Sequence, residues 1–155
     1  MTEIEYKINP EISFTEFRDL LTSSTLAERR PIEDSQCIQG MLENSNLVVT
    51  AWDRSKLVGI ARSMTDFHYA CYLSDLAVDQ DYQQRGIGLR LQQLTQEQLQ
   101  QRCKLILISA PAANDYYPSI GYDSSPRCWV LPRDRACEQA AKREQGSAHQ
   151  STTAP

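Results

Sequence analysis

The densest chemistry in the chain lies between Tyr72 and Leu91, YLSDLAVDQDYQQRGIGLRL. An apolar run ends near Val78, a polar stretch from Asp79 to Arg85 follows, and Gly86 and Gly88 open a run with helical spacing. Glycine lets a backbone and a ligand approach closely, and the first turn of a helix offers unpaired N–H groups and a partial positive charge. The pattern therefore predicts an anion cradle of the kind that holds phosphate. No Lys-Ser/Thr pair follows the glycines, so the cradle is not a P-loop, and Leu91 stands where a dinucleotide fingerprint needs its third glycine. ATP and NAD are both poor fits. Asp75 sits within the apolar run, where an unpaired carboxylate is costly, so it needs either a partner or a task. Strand alternation turns Tyr72 and Ser74 to the face opposite Asp75 unless a bulge intervenes. His68 has the ordinary pKa best suited to a base, but it falls on a connection between strands, where a solvated turn histidine is the plain reading.

Gln83-Gln84-Arg85-Gly86-Ile87-Gly88 resembles the acetyl-CoA motif of the GNAT family of N-acetyltransferases, Q/R-x-x-G-x-G/A. The preceding LAVD resembles that family's fourth strand and the loop after it. Downstream, AANDYYPSIGY resembles the family's A-x-x-x-Y-x-x-x-G-F signature through Ala113, Tyr117, Gly121 and Tyr122. The order of elements resembles the family's from Ile4 to about Leu131, and the LSDLAVD and GIG wording is most similar to a small bacterial and plastid group that includes arylalkylamine acetyltransferases.

The resemblance implies roles for these residues. The backbone amides from Gln84 to Leu89, in the loop that begins at Gln83 and carries Arg85, Gly86, Ile87 and Gly88, bind the pyrophosphate of acetyl-CoA. Leu76 and Val78, with Ala77 between them, pair by main chain with the pantetheine arm, and strand amides near Leu76 supply the oxyanion donor. Tyr117 matches the general-acid position, since a phenol of pKa about 10 can protonate a departing thiolate. The asparagine often found seven residues before that tyrosine is Ala110 here, and Asn114 takes over a CoA contact. Asp75 is either the carboxylate that binds the acceptor's ammonium or takes its proton through water, or a structural partner for a neighbouring loop; Tyr72 and Ser74 stay open as alternatives. Arg85 and Arg90 reach a CoA phosphate or are plain surface, and Tyr116 is core or acceptor-pocket wall.

Several elements must position these groups. Ile4 to Ile8 alternates as a half-buried strand does, and Ser13 with Glu16 makes a capping box for a helix bearing Phe14, Phe17, Leu20 and Leu21. A second helix opens at Pro31 and carries Ile32, Cys37, Ile38, Met41 and Leu42. Leu47 to Trp52 and Leu57 to Arg62 form an antiparallel hairpin around Asp53-Arg54-Ser55-Lys56, and Tyr69 to Val78 adds a third long strand. A helix from about Gly86 to Arg102 buries Ile87, Leu91 and Leu94 and leaves its Gln-rich side solvated. Leu105 to Ile108 reads as a strand buried on both faces and parallel to a neighbour. Ala112 to Ile120 suits a short helix and Arg127 to Leu131 a last strand, with Trp52 and Trp129 as core aromatics. The implied fold class is α+β: a mixed, mainly antiparallel sheet with helices on both faces, splayed between the fourth and fifth strands.

Composition bounds the function. The chain has 155 residues, 16 Lys+Arg against 20 Asp+Glu, a formal charge of -4 and 41% apolar residues. That suits one domain, here residues 1–132 with a flexible tail over 133–155. With no basic block, a nucleic-acid partner is disfavoured. The beginning carries no apolar signal segment and no apolar run reaches about 18 residues, so no membrane is expected and the location is cytoplasmic. Five widely spaced cysteines with no CxxC pair read as buried free thiols, and no metal is expected. The expected reaction is direct acetyl transfer from acetyl-CoA to a primary amine of a small molecule, of arylalkylamine, polyamine or amino acid type. The alternatives are acetylation of protein N-termini or lysines, and a CoA-binding regulatory module without turnover. A homodimer, common in that family, is implied on the same basis.

Overall fold

The capping box forms as its spacing dictates. Ser13 Oγ accepts from the Glu16 amide at 3.2 Å, the Glu16 carboxylate accepts from the Ser13 amide at 2.8 Å, and α1 runs from Phe14 to Ser23. In the computed structural model, which describes residues 3–135, β1 (Glu5–Ile8) precedes that helix, and a single 3₁₀ turn (Leu26–Arg29) leads to α2 (Ser35–Glu43). The second helix does not open at Pro31. Asp34 caps it by accepting from the Cys37 amide at 2.9 Å, and Ile32 stays in the preceding loop, packed on the core.

β2 (Leu47–Asp53) and β3 (Lys56–Thr65) form the expected hairpin, with Arg54 at φ 55 in the turn. β4 (Ala70–Val78) follows, then a 3₁₀ turn (Gln80–Tyr82), α3 (Ile87–Glu97) and β5 (Lys104–Ile106). The sheet order is β1-β2-β3-β4-β5, antiparallel throughout except for the parallel β4–β5 pair. α3 ends at Glu97 and not at Arg102, because the Gln100 amide is drawn to the Phe67 carbonyl at 2.9 Å in the β3–β4 turn. Its Gln-rich side is not wholly solvated either, since Gln92 is buried and donates to the Gly88 carbonyl.

Side-chain alternation gives the sheet two buried faces. Phe17, Leu20, Leu21 and Ile38 from α1 and α2 pack on Val48, Trp52, Ile60 and Ala77. Ile87 and Leu91 from α3 pack on Leu47, Val49, Ala51, Val58, Ala61, Cys71 and Leu73. Helices therefore cover both faces, as an α+β sheet with this strand order requires. β5 departs from its reading as a doubly buried strand: it is three residues long, and Ile106 and Ile108 are about half exposed. Only β4 pairs with it, so among the described residues nothing covers its outer side as a strand.

The chain divides into two compact units after Asn114. In the second, the helix expected over 112–120 is reduced to α4 (Tyr116–Ser119), while a separate 3₁₀ turn (Pro111–Ala113) closes the first. Arg127 to Leu131 is not a strand, and Trp129 is 90% exposed instead of a core aromatic; Trp52, 7% exposed, is one. The cysteines also divide: Cys71 is buried, Cys103 half-buried, and Cys37 and Cys128 exposed, whereas burial had been expected of all. Cys137 and residues 136–155 of the expected tail lie outside the described residues. No helix among the described residues is long and apolar enough to cross a membrane.

Candidate functional site

β4 carries the site, and its pairing changes along its length. Ala70 to Tyr72 bond to β5, but beyond Tyr72 no strand among the described residues takes up the outer edge, so the sheet opens there while β3 continues to hold the inner edge as far as Val78. Backbone groups along such an edge need partners, and an extended ligand can supply them. The opening lies between the fourth and fifth strands, as expected.

At its end β4 runs into a loop that is tied down locally. Asp79 accepts from the Asp81 amide at 3.0 Å and pairs with Lys56 at 2.9 Å. Burial works against the Asp79 charge, but Lys56 and the Asp81 amide more than offset it, so the carboxyl is held below its usual range. Asp79 in turn raises the Lys56 ammonium. Gln83 Nε2 donates to the Val78 carbonyl at 3.0 Å, and Arg85 donates to the Asp81 carbonyl at 2.7 Å while lying over the Tyr82 ring. Arg90 pairs with Glu97. Gln84 at φ 60 and Gly86 at φ 79 turn the chain left-handed and aim it into α3.

Gly86 is the N-cap of α3 and offers no side chain to its first-turn amides, so Ile87, Gly88 and Leu89 keep N–H groups without intrahelical partners. A Cβ built on Gly86 would meet no protein atom within 4 Å, and one on Gly88 would come only to 3.7 Å from Val78. The space ahead of the helix is thus open, and the exposed loop from Gln83 to Gly86 borders it. An amide-lined, uncapped helix start beside an open strand edge suits a phosphate with an extended arm, which is the shape of a CoA-type ligand. Among the described residues no group of three His, Cys, Asp or Glu is placed to hold a metal ion.

A bulge decides the face on which Asp75 lies. Ser63 pairs with Leu73 and Arg62 with Asp75, which leaves Ser74 as the extra residue. The strand changes phase at that point, so Tyr72, opposite Met64, shares a face with Asp75, opposite Arg62; simple alternation would have separated them. Asp75 is fully buried and both its oxygens are occupied: Arg30 Nε donates to Oδ1 at 2.6 Å and Arg62 Nε donates to Oδ2. The same arginines hold the bulge, through the Ser74 carbonyl from Arg30 and Ser74 Oγ from Arg62, each at 2.9 Å. Leu76 and Val78 turn to the α3 face and Ala77 to the other.

The remaining candidates sit elsewhere. Asn114 Oδ1 accepts from Ser109 Oγ at 3.0 Å, which gives that side chain a local partner. His68 is an exposed turn residue whose amide bonds to Asp66, as the plain reading had it. In the second unit, Tyr117 packs edge-on between Tyr116 and Tyr122, with both centroids 5.4 Å away. Gly121 at φ 99 returns the chain so that the Tyr122 amide reaches the Tyr117 carbonyl at 3.1 Å, which is what the Y-x-x-x-G spacing achieves. Burial, then the adjacent Tyr116, pushes the Tyr117 phenol up, so it stays protonated at neutral pH. Tyr116 is 41% exposed and not core. Sequence reasoning missed Arg30, Arg62 and Lys56. Arg62 carried a signal, a charge at the end of the apolar run Leu57 to Arg62; Arg30 carried none.

Comparison with known proteins adds to this geometry. Residues 22–127 match the family model of the acetyltransferase (GNAT) domain. A GNAT-family acetyltransferase from Streptococcus pneumoniae superposes with a TM-score of 0.62 at 19% identity, over 84% of this chain and 100% of that one. An acetyltransferase from Trypanosoma brucei gives 0.59 at 20% identity, over 84% and 99%. An aminoglycoside acetyltransferase from an uncultured soil metagenomic sample, in complex with sisomicin, gives 0.58 at 22% identity, over 83% and 94%. At such identities the likeness to these structures is one of fold.

Proposed function

The chain belongs to the GNAT acetyltransferase family and is an acetyl-CoA-dependent N-acetyltransferase, and on that premise we propose that it transfers the acetyl group directly to a primary amine of a small molecule. The observation that carries the reading is the open outer edge of β4 leading into the uncapped, glycine-led start of α3. Acetyl-CoA supplies the activated thioester. The amides from Gln84 to Leu89 hold its pyrophosphate, with Gln83 and Arg85 bracing the loop, and the main chain of Leu76 to Val78 aligns the pantetheine arm. The domain that does this spans residues 1–132.

In the reaction the neutral amine nitrogen bonds to the carbonyl carbon and the C–S bond breaks. The Leu76 amide stabilises the oxyanion as it forms, where a preorganised donor is worth most. Tyr117 gives its phenolic proton to the departing sulfur and is reprotonated by solvent, while the amine's proton passes to water. Asp75 is not the base in this scheme, because both its oxygens are engaged by guanidinium groups; its task is to anchor Arg30 and Arg62 at the bulge. The fold likeness to an aminoglycoside acetyltransferase supports a small-molecule acceptor.

The test is release of free thiol from acetyl-CoA with a panel of amines, amino acids and polyamines. Absence of release from every member sinks the proposal. In Tyr117→Phe, kcat should fall about a hundredfold, the usual worth of a general acid, with CoA affinity retained. Unchanged turnover would remove Tyr117 from the mechanism.

A further inference from the structure

The face of β4 that carries Asp75 holds more positive than negative charge. Two guanidinium ions, Arg30 and Arg62, meet the one carboxylate of Asp75, and that carboxylate has no free oxygen. Arg62 is 3% exposed and closed off from solvent: beyond Asp75 and Ser74 it donates to the Met41 carbonyl at 3.1 Å and to Ser45 Oγ at 2.8 Å. Arg30 differs. Its side chain is 22% exposed, and its hydrogen bonds, to Asp75, the Ser74 carbonyl and the Arg29 carbonyl, occupy one N–H on each nitrogen. A guanidinium has five N–H donors, so two remain for solvent or a ligand. Beside this cluster the bulge sets Tyr72 on the same face, opposite Met64, whose sulfur lies 3.6 Å from Arg62; both side chains are more than a third exposed.

We infer that Arg30 selects acceptors that carry a carboxylate next to the amine, with an apolar side chain to lie on Tyr72 and Met64. The acceptor class is therefore of amino acid type, neither a bare arylalkylamine nor a polycation. This rests on the functional reading above, in which the amine attacks a thioester held along β4 just past the bulge. An acceptor poised there brings its substituents to the Arg30 side of Ser74. A second cation on it meets the surplus positive charge, whereas a carboxylate neutralises that charge and can take two N–H groups from one planar fork. Arg62 positions the bulge and touches no acceptor in this scheme.

Paired acceptors that differ only in the carboxylate test the inference: L-phenylalanine against 2-phenylethylamine, and L-methionine against 3-(methylthio)propylamine, followed by thiol release from acetyl-CoA. The expected kcat/KM is at least about tenfold higher for each amino acid, the size of a hydrogen bond to a charged group. In Arg30→Gln the ratio of kcat/KM for the amino acid to that for the bare amine should collapse through a raised KM for the amino acid; the ratio within each variant is the readout, because the lost contacts to Asp75 and the Ser74 carbonyl act on both acceptors alike. Arg30→Lys should keep part of the preference, and a thermal melt on each variant separates selectivity from misfolding. Saturation-transfer NMR with the CoA-loaded protein should show L-phenylalanine bound and lost in Arg30→Gln. A wild-type enzyme that acetylates 2-phenylethylamine as well as L-phenylalanine overturns the inference and leaves the proposed function standing. So does an Arg30→Gln variant that loses both acceptors equally. Failure to release thiol with any amine overturns both.

Discussion

Two stretches of one strand are built in opposite ways. The end of β4 and the loop to α3 are held chiefly by near neighbours, Asp79 by Asp81, Gln83 by Val78 and Arg85 by Asp81, with Lys56 from the β2–β3 hairpin also pairing with Asp79. The bulge at Ser74 is held from far away in sequence, by Arg30 after α1, by Arg62 on β3, and through Arg62 by Met41 and Ser45 at the end of α2. The first leaves the backbone amides at the start of α3 exposed. The second buries charge to fix the shape of a strand. Local bonds carry most of a loop that must stay open, whereas each buried carboxylate, Asp79 with Lys56 and Asp75 with Arg30 and Arg62, needs a partner from another element.

The sharpest way to break this contrast is Arg62→Ala, which leaves Asp75 fully buried with one partner gone and Ser74 Oγ without its donor. It should cost about 3 to 5 kcal/mol in urea unfolding, the usual price of breaking a buried ion pair. Gly86→Val should instead spare most of the stability, losing about 1 to 3 kcal/mol for a β-branched residue at positive φ. Its larger effect should be on the ligand: calorimetry should show CoA affinity reduced at least tenfold, about 1.4 kcal/mol or more. Ser74→Ala removes one acceptor at the bulge and should cost about 1 kcal/mol, with the fold intact by circular dichroism.

The smallest effect belongs to Asp79→Asn. The folded carboxyl of Asp79 is held below its usual value, so as pH falls the unfolded chain takes up the proton first. Its contribution is complete above the ordinary carboxylate value of about 4 and is lost as pH falls through the lower folded value. Because Lys56 is more than half exposed, that contribution is at most about 1 kcal/mol. Unfolding curves of Asp79→Asn and wild type should therefore differ near neutrality and converge in acid. A gap that widens in acid would contradict the assignment.

The same contrast explains what could be read in advance. The capping box at Ser13, the Asp53–Lys56 turn, the glycines of the loop and the Y-x-x-x-G return at Gly121 are all closed by bonds between residues a few positions apart, and each appeared where its spacing put it. The length of α3 did not, because its last turn yields to the Phe67 carbonyl, and the apolar run at Leu105 became a short edge strand with one side uncovered. Trp129 shows the limit of hydrophobicity as a guide: a residue type that belongs in a core stands 90% exposed, with no strand or helix formed around it between Arg127 and Leu131.

Sequence by itself determined the family, the order of elements as far as β5 and the glycine-led loop before α3, since glycine placement and local capping need no distant partner. Only the tertiary structure decided what Asp75 does. A β-bulge shifts the strand by one residue and carries every later side chain to the other face, and whether that happens depends on the two arginines, one from the loop after α1 and one from β3, that meet at Ser74. The site's backbone was written locally, and its charge was assembled by packing.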